Sequence, residues 1–128
     1  MKGGDVTDVN EREAGSTFMP KFDDKGLLSA IVVHAETRDV LMVGFMDAKA
    51  LAATRETGFA HFHSRSRDRL WKKGESSGHV LAVEEILVDC DQDALLLVCR
   101  PEGPTCHTGA PSCFYRRLEG DALQPVKT

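Results

Sequence analysis

Aromatic residues are scarce, with one Trp and one Tyr in 128 residues. Apart from Trp71, none is interleaved with the basic segment, which argues against the stacking platforms that hold single-stranded nucleic acid. Long apolar runs are missing as well. Leu95-Leu96-Leu97-Val98 is far too short to cross a bilayer, and the N-terminus lacks the apolar core of a secretory leader. A cytoplasmic protein without membrane contact is expected. Nor is there an excess of positive charge: 16 Lys and Arg stand against 20 Asp and Glu, an acidic balance that argues against general nucleic-acid binding. Internal repeats and low-complexity segments are absent.

What remains is the composition of a globular chain, 41% hydrophobic and 28% charged, of a length that suits one core. Residues 1–20 are polar and read as a mobile arm or a short docking helix, leaving residues 21–128 as one domain. Leu27 to His34 and Val40 to Phe45 are rich in β-branched and apolar residues around the turn-forming Glu36-Thr37-Arg38-Asp39, which predicts a hairpin. Asp47 is a suitable N-cap for a helix through Ala48 to Thr54 that Gly58 can stop. Phe59 to His63, Arg69 to Trp71, Val80 to Val88 and Ala94 to Cys99 read as strands, with a last one beginning near Phe114-Tyr115. The fold class is α+β, mainly antiparallel strands with one main helix.

Charge is segregated. Arg65, Arg67, Arg69, Lys72 and Lys73 lie against a single acid, Asp68, whereas Glu84 to Asp93 holds five acids and no base. Two solvated faces would account for this, but so would an anionic ligand and a cation. The four cysteines, Cys90, Cys99, Cys106 and Cys113, favour the second reading, since in a cytosolic chain thiols point to metal or catalysis before disulfides. In Asp89-Cys90-Asp91-Gln92-Asp93, an extended backbone would send Asp89, Asp91 and Asp93 to one face and Cys90 to the other. Carboxylates suit Mg²⁺ and thiolates suit Zn²⁺. Cys90, Cys106 and Cys113 with one open position would make a catalytic zinc site, whereas adding Cys99 would close a structural one. Cys99 lies within a strand-like run and is expected to be a buried thiol. His107 is the nearby candidate for proton transfer, or an alternative zinc ligand.

Several blocks resemble the phosphoribosyl-AMP cyclohydrolase family in order and spacing, from about Leu27 to Arg116. They are Val40 through Met46, Ser64-Arg65-Ser66-Arg67, Leu70-Trp71-Lys72-Lys73-Gly74-Glu75-Ser76-Ser77-Gly78, Val88 through Asp93, Gly103 through Gly109, and Ser112-Cys113-Phe114-Tyr115. The resemblance implies a barrel-like sheet in an intertwined homodimer. It also implies one Zn²⁺ per subunit, shared across the dimer by Cys90, Cys106 and Cys113, and Mg²⁺ on Asp89, Asp91 and Asp93. The implied reaction is hydrolysis of the N1–C6 bond of the adenine ring in N1-(5-phosphoribosyl)-AMP, a step of histidine biosynthesis. For the two phosphates of that substrate, Arg65, Arg67, Lys72 and Lys73 are suitable partners, and Ser76 and Ser77, with the backbone near Gly74 and Gly78, can cradle another anion. His63 and His79 depart from the family's usual residues. Since the sequence ends soon after Cys113, no fused pyrophosphohydrolase domain is expected.

Two rival readings fit the residues less well. His34-Ala35-Glu36 has the H-x-E form of zinc nucleobase deaminases, but the matching P-C-x-x-C is missing. A structural zinc module binding RNA or protein through the basic strip would not need the Asp triplet.

Overall fold

The computed structural model describes residues 6–126. Its largest sheet is built from β1 (Leu28–His34), β2 (Val40–Met46), β5 (Leu81–Val88) and β6 (Ala94–Pro101), in the order β2-β1-β6-β5. The expected hairpin is β1–β2, antiparallel with Leu28 opposite Met46. β5 and β6 form a second antiparallel pair, and the two hairpins join through a parallel β1–β6 contact. The sheet is thus mostly antiparallel, but it is open: β2 and β5 are its outermost strands, so the barrel-like closure is not formed by the described residues.

The helix α2 (Ala48–Thr57) follows β2. Asp47 Oδ1 accepts the Ala50 N–H at 2.8 Å, satisfying one of the donors that every helix start leaves free. At the other end Gly58 takes φ 79 and its N–H bonds Thr54 O, the left-handed stop that glycine adopts without steric cost. Beyond it, β3 (His61–Ser64) and β4 (Arg69–Lys72) pair as a small hairpin. Here the chain alternates well enough for Phe62 to reach the core, 1% exposed, while His61 and His63 stay half-buried. Phe62 packs on Trp71 with ring centroids 5.5 Å apart. The core joins Leu28, Ala30 and Val32 of β1, Met42 and Met46 of β2, Leu51 of α2, and Leu95, Leu97 and Cys99 of β6. Gly44 belongs to this layer by necessity, because a Cβ there would lie 2.7 Å from Phe62 Cδ1.

One element departs from expectation. The last segment is a hairpin, β7 (Arg116–Glu119) and β8 (Ala122–Pro125), turned by Gly120 at φ 61. Part of the polar N-terminal stretch is α1 (Val6–Ala14), and residues 12–21 are docked on the β5–β6 turn rather than loose. The first five residues of the arm lie outside the described residues.

Candidate active site

Three groups of candidate residues occupy two ends of β6. At its C-terminal end, the loop from Pro104 to Cys113 folds on itself: Cys106 N–H bonds Ala110 O at 3.1 Å, and Gly109 N–H bonds Cys106 O at 3.0 Å. It is also pinned to the start of β2. Cys113 N–H bonds Leu41 O at 2.7 Å and Ser112 Oγ donates to Val40 O at 2.7 Å. These bonds bring the buried Cys106 and the exposed Cys113 within hydrogen-bonding reach of each other. Thr108 Oγ1 donates to Cys106 Sγ at 3.1 Å. That bond is the main reason the Cys106 thiol is pulled below its ordinary value, with Cys113 and the charge of Lys73 adding to it. Cys113 is pushed up, first by lost solvent around its sulfur and then by the neighbouring Cys106. A sulfur pair with one member biased to thiolate is a suitable donor set for a soft metal ion. Beside it, Thr105 Oγ1 is buried without a partner. His107 sits exposed on the same loop.

The basic strip acts on this loop through Lys73, whose charge favours both thiolates. Around it, Arg67, Lys72, Lys73, Gly74, Ser76 and Ser77 line one cavity of about 320 Å³, with Trp71 in its wall. Five of the six predicted anion-binding residues are therefore together. Arg65 is the exception: its guanidinium lies 4.1 Å from the centroid of the Phe45 ring. The cavity's shape depends on Glu75, which accepts from Arg69 Nη2 at 2.8 Å and from the Lys72 N–H at 3.0 Å. The Arg69 bond is the first cause of its carboxyl lying below the usual range. Gly74, at φ 84, faces the backbone of His79, where a Cβ would come within 2.5 Å.

At the N-terminal end of β6 the Asp triplet does converge, but not by strand alternation. Residues 89–93 are a turn: Gln92 N–H bonds Asp89 O at 3.1 Å, and Gln92 has φ 59. Folding back in this way groups one oxygen each from Asp89, Asp91 and Asp93 within 4.8 Å of one another. Three carboxylate oxygens gathered this closely are a donor set of the hard type that Mg²⁺ takes. The crowding shows in the acidities. Asp93 is raised to about 6 by hydrogen bonds shared with Asp91 and Asp89. Loss of solvent pushes Asp89 up, but its Oδ1 accepts the Asp93 and Ala94 N–H groups at 3.0 and 3.1 Å, and these bonds with the side-chain hydrogen bonds from Asp93 and Asp91 bring it below its ordinary value.

Cys90 is exposed in this turn, at the opposite end of β6 from Cys106. Eight residues of strand span roughly 25 Å, so one chain cannot place Cys90, Cys106 and Cys113 on one ion. Cys99 stays in the core, fully buried, its thiol raised to about 12 by burial. That leaves the four-thiolate structural module without its fourth ligand. His34, of the deaminase-like motif, ends β1 and accepts the Glu36 N–H on Nδ1 at 3.0 Å, a turn contact. Sequence reasoning missed Thr108 and Gln92. The Thr108-Gly109 pair that follows Cys106-His107 hints at the first, but nothing local marks the second.

A cavity rich in Arg and Lys, a thiol pair and a carboxylate cluster on one small α+β scaffold define a class only by donor chemistry: side chains suited to an anion, to a soft cation and to a hard one. Comparison with known proteins narrows it. Residues 42–115 match the family model for phosphoribosyl-AMP cyclohydrolase. A protein of that name from Erythrobacter litoralis is 64% identical over 120 residues, covering 94% of this chain and 96% of the relative. Others so named, from Sphingopyxis alaskensis and Methanococcoides burtonii, are 59% and 56% identical, over 87% and 80% of this chain and 88% and 85% of their own. The chain belongs to the phosphoribosyl-AMP cyclohydrolase family.

Proposed function

We propose that this protein hydrolyses the N1–C6 bond of N1-(5-phosphoribosyl)-AMP in histidine biosynthesis, with its site completed by a second copy of the chain. Family membership supports the reaction, and the observation that carries the site is that Lys73 lines the basic cavity while its charge also acts on the Cys106–Cys113 pair. A phosphate held by Arg67, Lys72, Ser76 and Ser77 puts the purine of the same substrate toward the thiol loop.

The zinc ligands in this reading are Cys106 and Cys113 of one copy and Cys90 of another. When bound there, Zn²⁺ supplies the Lewis acidity that brings the pKa of water toward neutrality. The water oxygen bonds to C6 as the N1–C6 bond breaks. C6 keeps its exocyclic amine and becomes the carboxamide carbon, and N1 keeps its ribosyl phosphate and stays joined through C2 as the formimino group. His107, exposed on the thiol loop, delivers the proton that N1 takes up. Asp89, Asp91 and Asp93 hold Mg²⁺.

An apolar row on the outer face of the sheet supports the homodimer. Val43 pairs with Ile31, Ile31 with Leu96 and Leu96 with Leu87, crossing all four strands. Val43 and Leu87 are 46% and 43% exposed, where a sheet face meant for water would carry polar side chains. No helix among the described residues is long and apolar enough to cross a membrane. A cytoplasmic location and small-molecule chemistry without nucleic acid complete the reading. The test is turnover of N1-(5-phosphoribosyl)-AMP by purified protein with Zn²⁺ and Mg²⁺, beside Cys106→Ala. Ring opening that disappears in the variant is expected, and an inactive, folded, zinc-loaded wild type would refute the reading.

A further inference from the structure

Between Asp91 and Asp93 stands an uncharged residue that is almost fully enclosed. Gln92 is 6% exposed and left-handed at φ 59, a backbone for which Gly or Asn is the low-cost choice. Its strain is offset by what the residue reaches, which is the N-terminal arm. Gln92 Nε2 donates to Arg12 O at 2.7 Å and to Thr17 O at 3.2 Å, and Oε1 accepts the Met19 N–H at 2.7 Å. The backbone oxygen of Gln92 accepts the Lys21 N–H at 2.7 Å. Both amide protons and the carbonyl of the side chain are thus engaged, all with residues more than seventy positions away.

The arm is itself braced for this role. Glu11 Oε2 accepts the Ser16 and Thr17 N–H groups at 3.1 and 2.9 Å, and Arg12 Nε donates to Met19 O at 3.1 Å. Farther on, Phe18 lies under the Arg55 guanidinium near the end of α2, 5.3 Å from ring centroid to Cζ. The arm therefore ties the helix to the Asp turn. Three carboxylates whose oxygens lie within 4.8 Å repel one another, and the bonds inside the turn are all local. The only fastening of the turn to a distant element seen among the described hydrogen bonds of residues 89–93 is made by Gln92.

We propose that Gln92 is a positioning residue for the cation-binding turn: by fastening residues 12–21 it holds Asp89, Asp91 and Asp93 in register for one divalent cation, so that arm docking and cation occupancy are coupled. This rests on the reading that the triplet binds Mg²⁺. Coupling is reciprocal, so Mg²⁺ must tighten the arm as much as the docked arm tightens Mg²⁺.

The test uses the full chain and three readouts: Mg²⁺ titration by calorimetry, hydrogen exchange at the Met19 amide, and thermal melting to establish the fold. Gln92→Gly suits the left-handed backbone and removes the carboxamide. It is expected to stay folded, to weaken Mg²⁺ about tenfold and to speed Met19 exchange by a similar factor. In wild type, Mg²⁺ is expected to slow that exchange. If Gln92→Gly fails to fold, Gln92→Asn tolerates the same backbone, is one methylene too short for the arm, and carries the same expectation. Mg²⁺ affinity within about twofold of wild type in the folded variant, or wild-type Met19 exchange indifferent to Mg²⁺, overturns the proposal. A wild type that binds no Mg²⁺ at all overturns the cation reading beneath it, and is told apart because Met19 protection would still depend on Gln92.

Discussion

At the scale of single residues, the two arginines of the Ser64–Arg67 segment separate cleanly. Arg67 lines the cavity while Arg65 stacks on Phe45. Arg67→Ala is expected to raise KM by about tenfold, the loss of one charge-assisted phosphate contact. Arg65→Ala should leave KM within about twofold and instead cost about 1 kcal/mol of stability, as steady-state kinetics and urea denaturation would show. The Asp triplet makes a second prediction, about pH. A carboxyl raised to about 6 keeps a proton in the folded chain that the unfolded chain gives up near 3.8. Asp93 therefore disfavours folding increasingly as pH rises from about 4 through about 6. Asp89, lowered below its ordinary 3.8, acts in the opposite sense and in another window. It adds stability above that value, and the contribution is lost as pH falls through its folded pKa. A divalent cation would take the place of the proton that Asp93 shares with Asp91 and Asp89, and so competes with protons below about 6. The melting temperature should accordingly rise with Mg²⁺ at pH 7.5 and rise much less at pH 5. Equal shifts at both pH values would count against a cation on these oxygens.

At the scale of elements, the hairpins and the helix follow from local pattern: the N-cap at Asp47, the stop at Gly58, and the apolar strands on either side of polar turns. What each element does for the site is less local. Gly74 illustrates this, since its φ of 84 and its 2.5 Å approach to the His79 backbone set the path of the loop bearing Ser76 and Ser77. Gly74→Ala is expected to displace that loop and raise KM by at least about tenfold, with melting lowered as well. Gly44 is the contrasting case in the core, where a Cβ would strike Phe62. Gly44→Ala should cost about 1–3 kcal/mol, the usual penalty for overpacking, with no change in KM, which chemical denaturation and kinetics together would check.

For the whole molecule, the separation of Cys90 from Cys106 along β6 makes a prediction no single chain can satisfy. Cys90→Ala and Cys106→Ala should each be inactive alone. After the two are mixed and their subunits exchanged, heterodimers carry one intact site of two, and about a quarter of wild-type activity should return if the dimer is a symmetric pair. Failure to recover activity despite exchange, followed by mass spectrometry of the dimers, would exclude a shared metal. Before mixing, each variant's zinc content should already be below that of the wild type.

Residue chemistry alone was enough to single out thiolates, carboxylates and a basic strip, and the order of the motif blocks was enough to indicate the family, because donor type and spacing are written directly in the chain. β-branched and apolar runs also indicated the strands of the main sheet, with a period of two at Phe59 to His63 alone. The convergence of Asp89, Asp91 and Asp93 was foreseen for the wrong reason. A turn rather than a strand groups them, and the left-handed Gln92 that makes this turn is stabilised by an arm more than seventy residues away in sequence. Only the folded chain could show that Arg65 leaves the cavity that Arg67 enters, that the charge of Lys73 acts on the thiol pair, and that Cys90 lies at the other end of β6. Each of these is a spatial relation between segments distant in sequence, fixed by how sheet, helix and loops pack rather than by any neighbouring residue.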